Sequence, residues 1–218
     1  MFDAKEIPFY NHLTQGEIEL LKSGLYQKKF VKGQLAHSST EPCLGVIIVR
    51  KGKLRAYLIS DQGKEITLYY LSSGDTCVLS ASCILDSISF EVLVEAVEDT
   101  EVMQITASCF NQVMKTNVMV ENFALKLAAE KFSDVMWVMQ QILFFSMDKR
   151  LAMYLYQEMI DTKSATLYIT HENIAKSLGT AREVVTRLLR QFAQDEVVEV
   201  TRGKVTVIDR NKLQAMFN

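Results

Sequence analysis

The chain has 218 residues, with 24 Lys/Arg against 26 Asp/Glu for a formal charge of −2, and apolar (49%) and charged (23%) fractions of an ordinary globular protein. That length holds two small domains or one large one, and the composition excludes intrinsic disorder, collagen-like repeats and low-complexity scaffolds. No apolar run approaches the ~20 residues of a membrane span. The opening Met1-Phe2-Asp3-Ala4-Lys5-Glu6 has no leader character, and Cys43, Cys77, Cys83 and Cys109 show no CxxC spacing. A cytoplasmic chain without a membrane partner is expected.

The near-zero charge is unevenly distributed. From residue 146 onward there are eleven basic and nine acidic residues, a balance of +2, against −4 for the first 145.

In chain order, the first third reads as short strands cut by polar turns. Residues 45–50 form a buried strand, Lys51-Gly52 a tight turn, 53–59 a strand, Ser60-Asp61-Gln62-Gly63 a turn, and 64–71 another strand. After Ser72-Ser73-Gly74-Asp75, residues 89–97 alternate, with Phe90, Val92, Val94 and Ala96 on one side, and 100–105 close the series. This spacing indicates a sandwich or jelly-roll barrel over residues 1–115.

Helical signals begin with Thr106 or Ser108 as cap, and a longer helix is expected over 116–145. Val118, Leu125, Phe132 and Met139 fall seven apart, and Glu121, Ala128, Val135 and Ile142 interleave at a 4–3 spacing, which is a coiled-coil seam. The seam marks Val118, Leu125, Ala128, Phe132, Val135, Met139 and Ile142 as a dimer interface. Phe123, Leu127, Trp137 and Leu143 supply apolar surface towards the chain's own barrel. Ser146-Met147-Asp148 breaks the helix, and a second amphipathic helix is expected over 148–160. The only prolines are Pro8 and Pro42, so the boundary to the last domain, 146–218, is a helix-to-helix hinge.

Thr170 caps a short helix ending at Leu178, with Ile174, Ala175 and Leu178 inward, and Gly179 ends it with positive φ. Thr180-Ala181-Arg182-Glu183 fits a capping box for a second helix. Val184, Val185, Leu188, Leu189 and Phe192 form its core stripe, opposite Arg182, Glu183, Thr186, Arg187 and Arg190. Two strands, 197–200 and 205–208, joined by Thr201-Arg202-Gly203-Lys204, complete a winged helix-turn-helix.

The residues Ile169-Thr170-His171-Glu172-Asn173-Ile174-Ala175, Leu178-Gly179 and Ala181-Arg182-Glu183-Val184-Val185-Thr186-Arg187-Leu188-Leu189 resemble the DNA-binding signature of the CRP/FNR superfamily. The order of barrel, long helix and winged helix extends the resemblance over nearly the whole chain. It implies an α+β fold: an N-terminal jelly-roll sensor of the cyclic-nucleotide-binding type, a dimerisation helix and a C-terminal winged helix-turn-helix. It further implies a bacterial transcription regulator that binds double-stranded DNA as a homodimer, with RNA polymerase as a further partner.

In that family the residues matching Arg182, Glu183 and Arg187 enter the major groove. Arg bonds a guanine O6/N7 edge and Glu accepts from a cytosine amine; Glu183 also has its capping-box reading. Thr186, Arg190 and His171 read as phosphate contacts or plain surface, and Arg202 and Lys204 as wing contacts or solubilising charges. A two-fold dimer implies an inverted repeat with half-sites ~10–11 bp apart, and the resemblance favours a TGTGA-like half-site.

The sensor departs from the cyclic-AMP pattern. After Gly74-Asp75 the chain lacks the family's Gly-Glu pair, and Phe90-Glu91 stands where an Arg-Ser pair would hold the phosphate. The expected effector is an uncharged or aromatic small molecule, or a cofactor, in a pocket formed by Cys77, Leu79, Ser80, Ser82, Cys83 and Phe90 with Phe123 and Leu127. No cysteine precedes Cys43, so no iron–sulfur cluster is expected. A haem stays open, with His12, His37, Cys77, Cys83 and ten Met as axial ligands, and with it the alternative of a haem- or thiol-based redox or gas sensor. Neither P-loop, G-x-S-x-G, H-E-x-x-H nor GxGxxG occurs, so no catalytic residues, no metal site and no enzyme are expected.

Overall fold

Thr14 Oγ1 accepts from the Glu17 amide and the Glu17 carboxylate accepts from the Thr14 amide at 2.8 Å, a reciprocal cap that starts α1 (Gln15–Ser23). These hydrogen bonds from Thr14 hold the Glu17 carboxyl below its ordinary pKa. The strands β1 (Leu25–Phe30), β2 (Leu35–His37), β3 (Val46–Lys51), β4 (Lys53–Ile59), β5 (Glu65–Ser72), β6 (Thr76–Cys77), β7 (Leu93–Ala96) and β8 (Thr100–Ile105) follow. They make two four-stranded sheets, ordered β1-β8-β3-β6 and β2-β7-β4-β5. β8 lies antiparallel between β1 and β3, so that Leu25 and Val46 both face Ile105.

The computed structural model describes residues 6–37, 45–77 and 92–218. Their contacts form two units: one of residues up to Leu58 with Leu68–Met136, the other of Ile59–Thr67 with Trp137–Asn218.

In the first unit, β3 explains its own apolar run. Val46 and Ile48 join a core with Phe9, Leu21, Ile105 and Phe110, while Ile47 and Val49 turn to a second core with Leu54, Leu71, Val94 and Val102. Both faces of the pleat are therefore dry, and each fully buried side chain of this size contributes about 1.5–3 kcal/mol. Gly45 (φ +77°) makes the close approach that starts β3, since a Cβ there would lie 2.0 Å from the Ile105 carbonyl oxygen.

Thr106 caps α2 (Ala107–Thr116), accepting from the Cys109 amide. Asn117 starts α3 (Val118–Phe144): its Oδ1 accepts from the Met119 amide at 3.0 Å, and its Nδ2 donates to the His12 carbonyl at 2.8 Å and to Glu17 at 3.1 Å. Val120 and Ala124 are buried against the first core, and α3 passes into the second unit after Met136.

In the second unit α4 (Met147–Thr162), β9 (Thr166–Leu167), α5 (His171–Leu178), α6 (Arg182–Gln194), β10 (Val198–Thr201), β11 (Lys204–Val207) and α7 (Arg210–Ala215) surround one core that includes Leu151, Leu155, Ile174, Leu189, Phe192 and Val205. The expected hairpin is present, with β9 added to give the three-stranded order β10-β11-β9.

Expectation and structure differ at several points. The strand expected over 89–97 is observed as β7 alone, its start lying outside the described residues. The capping box at Thr180 does not form: Ala181 is the N-cap of α6 and contributes no side-chain hydrogen bond. Val135, assigned to the seam, is half-buried and packs on the second barrel core. No helix among the described residues is long and apolar enough to cross a membrane.

Candidate nucleic-acid interface

The recognition surface is built on α5, a left-handed turn and α6. Thr170 Oγ1 accepts from the Asn173 amide at 3.1 Å to start α5. Gly179 (φ +65°, ψ +44°) ends it, with the Thr180 amide donating back to Ala175 at 3.0 Å. A second support comes from Arg150 on α4. Its buried guanidinium donates to the Leu178 carbonyl at 2.6 Å, satisfying an acceptor at the end of α5. Burial lowers the Arg150 pKa.

On α6 the faces separate as the sequence indicates. Val185, Leu188, Leu189 and Phe192 are at most 8% exposed, whereas Arg182, Glu183, Arg187 and Arg190 are exposed. At ~100° per residue, positions 182, 183, 186, 187 and 190 span about 140° of the helix surface, opposite the core stripe. The three guanidiniums on that arc supply positive charge and hydrogen-bond donors suited to phosphates and base edges, and the Glu183 carboxylate supplies an acceptor.

Thr186 and His171 are committed to each other. The Thr186 hydroxyl donates its one proton to the Arg182 carbonyl at 2.9 Å. Its oxygen therefore accepts at 2.9 Å from His171 Nδ1, which carries the ring proton. Burial, and secondarily the charge of Arg182, pushes the His171 pKa down, so the ring is neutral near pH 7. This bond ties the first residue of α5 to the middle of the recognition stripe. On the wing, Arg202 is exposed at the β10–β11 turn beside Gly203, and Lys204 is half-buried.

Sequence reasoning missed Lys176 and Glu65. Their side chains pair at 3.0 Å, and with Arg182 and Glu183 they line a cleft of about 370 Å³ at the start of α6. Nothing in the 60–63 turn distinguishes it from an ordinary hairpin connection, so the sequence carried no signal for this placement.

The residues expected to line an effector pocket are only partly brought together. Cys77 is buried in the second barrel core, its sulfur 3.9 Å from Tyr69 Oη. Lys131 of α3 lies over the Tyr69 ring at 4.8 Å and pairs with Asp134 at 2.9 Å. Burial, reinforced by Cys77, pushes the Tyr69 phenol well up. Phe123 and Leu127 pack instead with the other core, the Phe123 ring tilted against Phe9 at 5.1 Å, whereas Cys77 belongs to the second. Leu79, Ser80, Ser82, Cys83 and Phe90 lie outside the described residues. Among the described residues no three His, Cys, Asp or Glu side chains converge as a metal site.

Comparison with known proteins agrees with this architecture. Residues 149–216 match the Crp-like helix-turn-helix domain, and residues 27–117 the cyclic nucleotide-binding domain. A transcriptional regulator assigned to the crp/fnr family from Eubacterium rectale superposes with a TM-score of 0.92 at 42% identity, covering 97% of this chain and 98% of that one. The cyclic AMP receptor protein of Thermus thermophilus is 24% identical over 203 residues, 93% of each chain. The transcriptional activator protein anr of Pseudomonas aeruginosa is 24% identical over 206 residues, 91% of this chain and 82% of that protein. With both domains matched in the order the fold displays, the chain belongs to the CRP/FNR family of transcription regulators.

Proposed function

We propose that the chain is a cytoplasmic, homodimeric, sequence-specific DNA-binding regulator controlled by a small effector other than a cyclic nucleotide. The observation that carries the DNA reading is the clean division of α6. Its core stripe is buried, and Arg182, Glu183, Arg187 and Arg190 are left together on the exposed arc. Arg182, Glu183 and Arg187 read base edges, Arg190 and the wing residues Arg202 and Lys204 bind phosphates, and His171 and Thr186 hold the reading helix in place. The dimer reading is supported by α3, where Val118, Leu125, Phe132 and Met139, seven apart, are 48–66% exposed. Ala128 and Ile142 flank them on the same helix.

The effector reading rests on the residues the chain puts in the cyclic nucleotide-binding domain. Phe90-Glu91 replaces a phosphate-binding Arg-Ser, and Cys77 is a core thiol beside Tyr69. With Phe90 in place of an anion-binding Arg and small or apolar residue types over Cys77 to Leu85 in the sequence, the domain suits an uncharged or aromatic ligand with a few polar contacts.

The test is fluorescence anisotropy on a duplex carrying two TGTGA half-sites in inverted repeat against a scrambled duplex. Arg187→Ala should cost ~1–3 kcal/mol on the repeat and much less on the scrambled duplex. Equal losses on both would leave Arg187 a phosphate contact. Calorimetry with cyclic AMP and cyclic GMP should show no micromolar binding; tight binding of either would overturn the effector reading.

A further inference from the structure

The second unit includes a piece of chain far from it in sequence, Ile59–Thr67, the tip of the β4–β5 hairpin. The tip is stiffened internally: the Ser60 amide donates to the Lys64 carbonyl at 2.9 Å, the Lys64 amide to Ser60 Oγ at 3.1 Å, and the Gly63 amide to the Ser60 carbonyl at 2.8 Å. It meets the helix-turn-helix at two points. Glu65, only 15% exposed in its side chain, pairs with Lys176 of α5 at 3.0 Å. Ile66 fills the space beside Gly179, where a Cβ on the glycine would stand 2.4 Å from Ile66 Cγ1. Lys64 and Glu65 then share the cleft at the start of α6 with Arg182 and Glu183.

We propose that this tip is a latch that competes with DNA for the recognition helix. The inference rests on the DNA-binding reading above and adds its regulation. A duplex engaging Arg182 and Glu183 needs the approach to the first turn of α6, and the tip occupies part of that approach. The Glu65 carboxylate repels an incoming phosphate, and while paired it withholds Lys176, which is a phosphate ligand once released. Lys176 therefore has two exclusive partners, Glu65 in the latched state and the DNA backbone in the open one. The tip is carried by β4 and β5, whose Leu54, Ala56 and Leu71 belong to the first unit's core. The tip is therefore continuous in chain with strands of that core and touches the helix-turn-helix through the Glu65–Lys176 pair and Ile66.

A latch lowers apparent DNA affinity by the fraction of molecules in which it is open, so weakening it tightens binding without any new DNA contact. The experiment uses the full chain without added effector, and anisotropy on the inverted-repeat and scrambled duplexes. Glu65→Gln should bind about two- to fivefold tighter than the unaltered chain, the scale of one partly exposed ion pair. Glu65→Gln combined with Ile66→Ala should reach roughly tenfold on both duplexes. Lys64 is left in place so that the tip's own positive charge is constant. As a readout independent of DNA, amide exchange across 176–183 should quicken in the free double variant, and saturating duplex should deprotect 59–67 in the unaltered chain. DNA binding by the unaltered chain with no gain in either variant, or unchanged exchange at 176–183, overturns the latch alone. Failure of every form to bind either duplex overturns the DNA reading, and the latch with it.

Discussion

Phe132 offers the sharpest test of how two chains associate. In the isolated chain it is 66% exposed and belongs to none of the three cores. A phenyl side chain of ~200 Å² exposed to that degree leaves roughly 130 Å² for a partner to cover. At about 25 cal/mol per Å² that is ~3 kcal/mol per protomer and ~6 kcal/mol for the symmetric pair. Phe132→Glu removes this and places two unpaired carboxylates near the dyad, each costly to desolvate. Ordering costs of association offset part of the area gain, so the expected rise in the dimer dissociation constant is at least ~1,000-fold, or ~4 kcal/mol. The monomer should stay folded, because the substituted side chain packs in no core. Sedimentation velocity across the micromolar range should show a monomer while far-UV circular dichroism is unchanged, and affinity for the inverted repeat should fall with the loss of the second reading helix. A variant that remains dimeric within about tenfold of the unaltered chain would refute the seam and place the interface on another surface.

Two further outcomes follow from the second unit. Arg150→Met keeps the aliphatic bulk but strips the Leu178 carbonyl of its donor, at a cost of about 1–3 kcal/mol. A drop of several degrees in Tm is expected by calorimetry, and an unchanged Tm would mean that water replaces the guanidinium. His171 has its folded pKa below the unfolded value, so the unfolded chain binds the proton first on acidification. Its contribution to stability is complete above the ordinary His pKa of ~6.5 and is lost as pH falls through the folded value. His171→Gln should therefore flatten the decline of Tm across that window; the same slope in the variant would assign the titration elsewhere.

The helix-turn-helix was legible because its signals are local. Thr170 and Gly179 punctuate α5, and the 3.6-residue period of α6 separates core from surface without reference to anything distant. The cap at Thr180 was misplaced by one residue, because φ/ψ at the turn put Ala181 in the capping position and left the Thr-Glu pair one step out of register. The 4–3 period of α3 was legible, and Val118, Leu125, Phe132 and Met139 on it are exposed. The burial of Val135 was not, since a heptad alone cannot tell an exposed position from one turned to the chain's own barrel. Phe123 and Leu127 were grouped with Cys77 on proximity of role; the two-faced burial of β3 splits the first unit into separate cores and sends them to the other side. β1 and β2 were missed because Lys28, Lys29 and the shortness of Leu35–His37 dilute the alternation. The Glu65–Lys176 pair joins residues more than a hundred positions apart, which no local pattern encodes.

Asn117 has a consequence for the rotational setting of α3. Its side chain reaches at once to the carbonyl of His12, to the carboxylate that caps α1, and to the first free amides of α3. A helix is a screw, and its rotational phase is fixed wherever its first turn is clamped: one residue more or less after the clamp turns every side chain beyond it by ~100°. The N-terminal segment therefore sets the azimuth of the first part of α3, and with it the bearing of the exposed Val118, Leu125 and Phe132. It is the reference mark against which any twist of that helix must be measured.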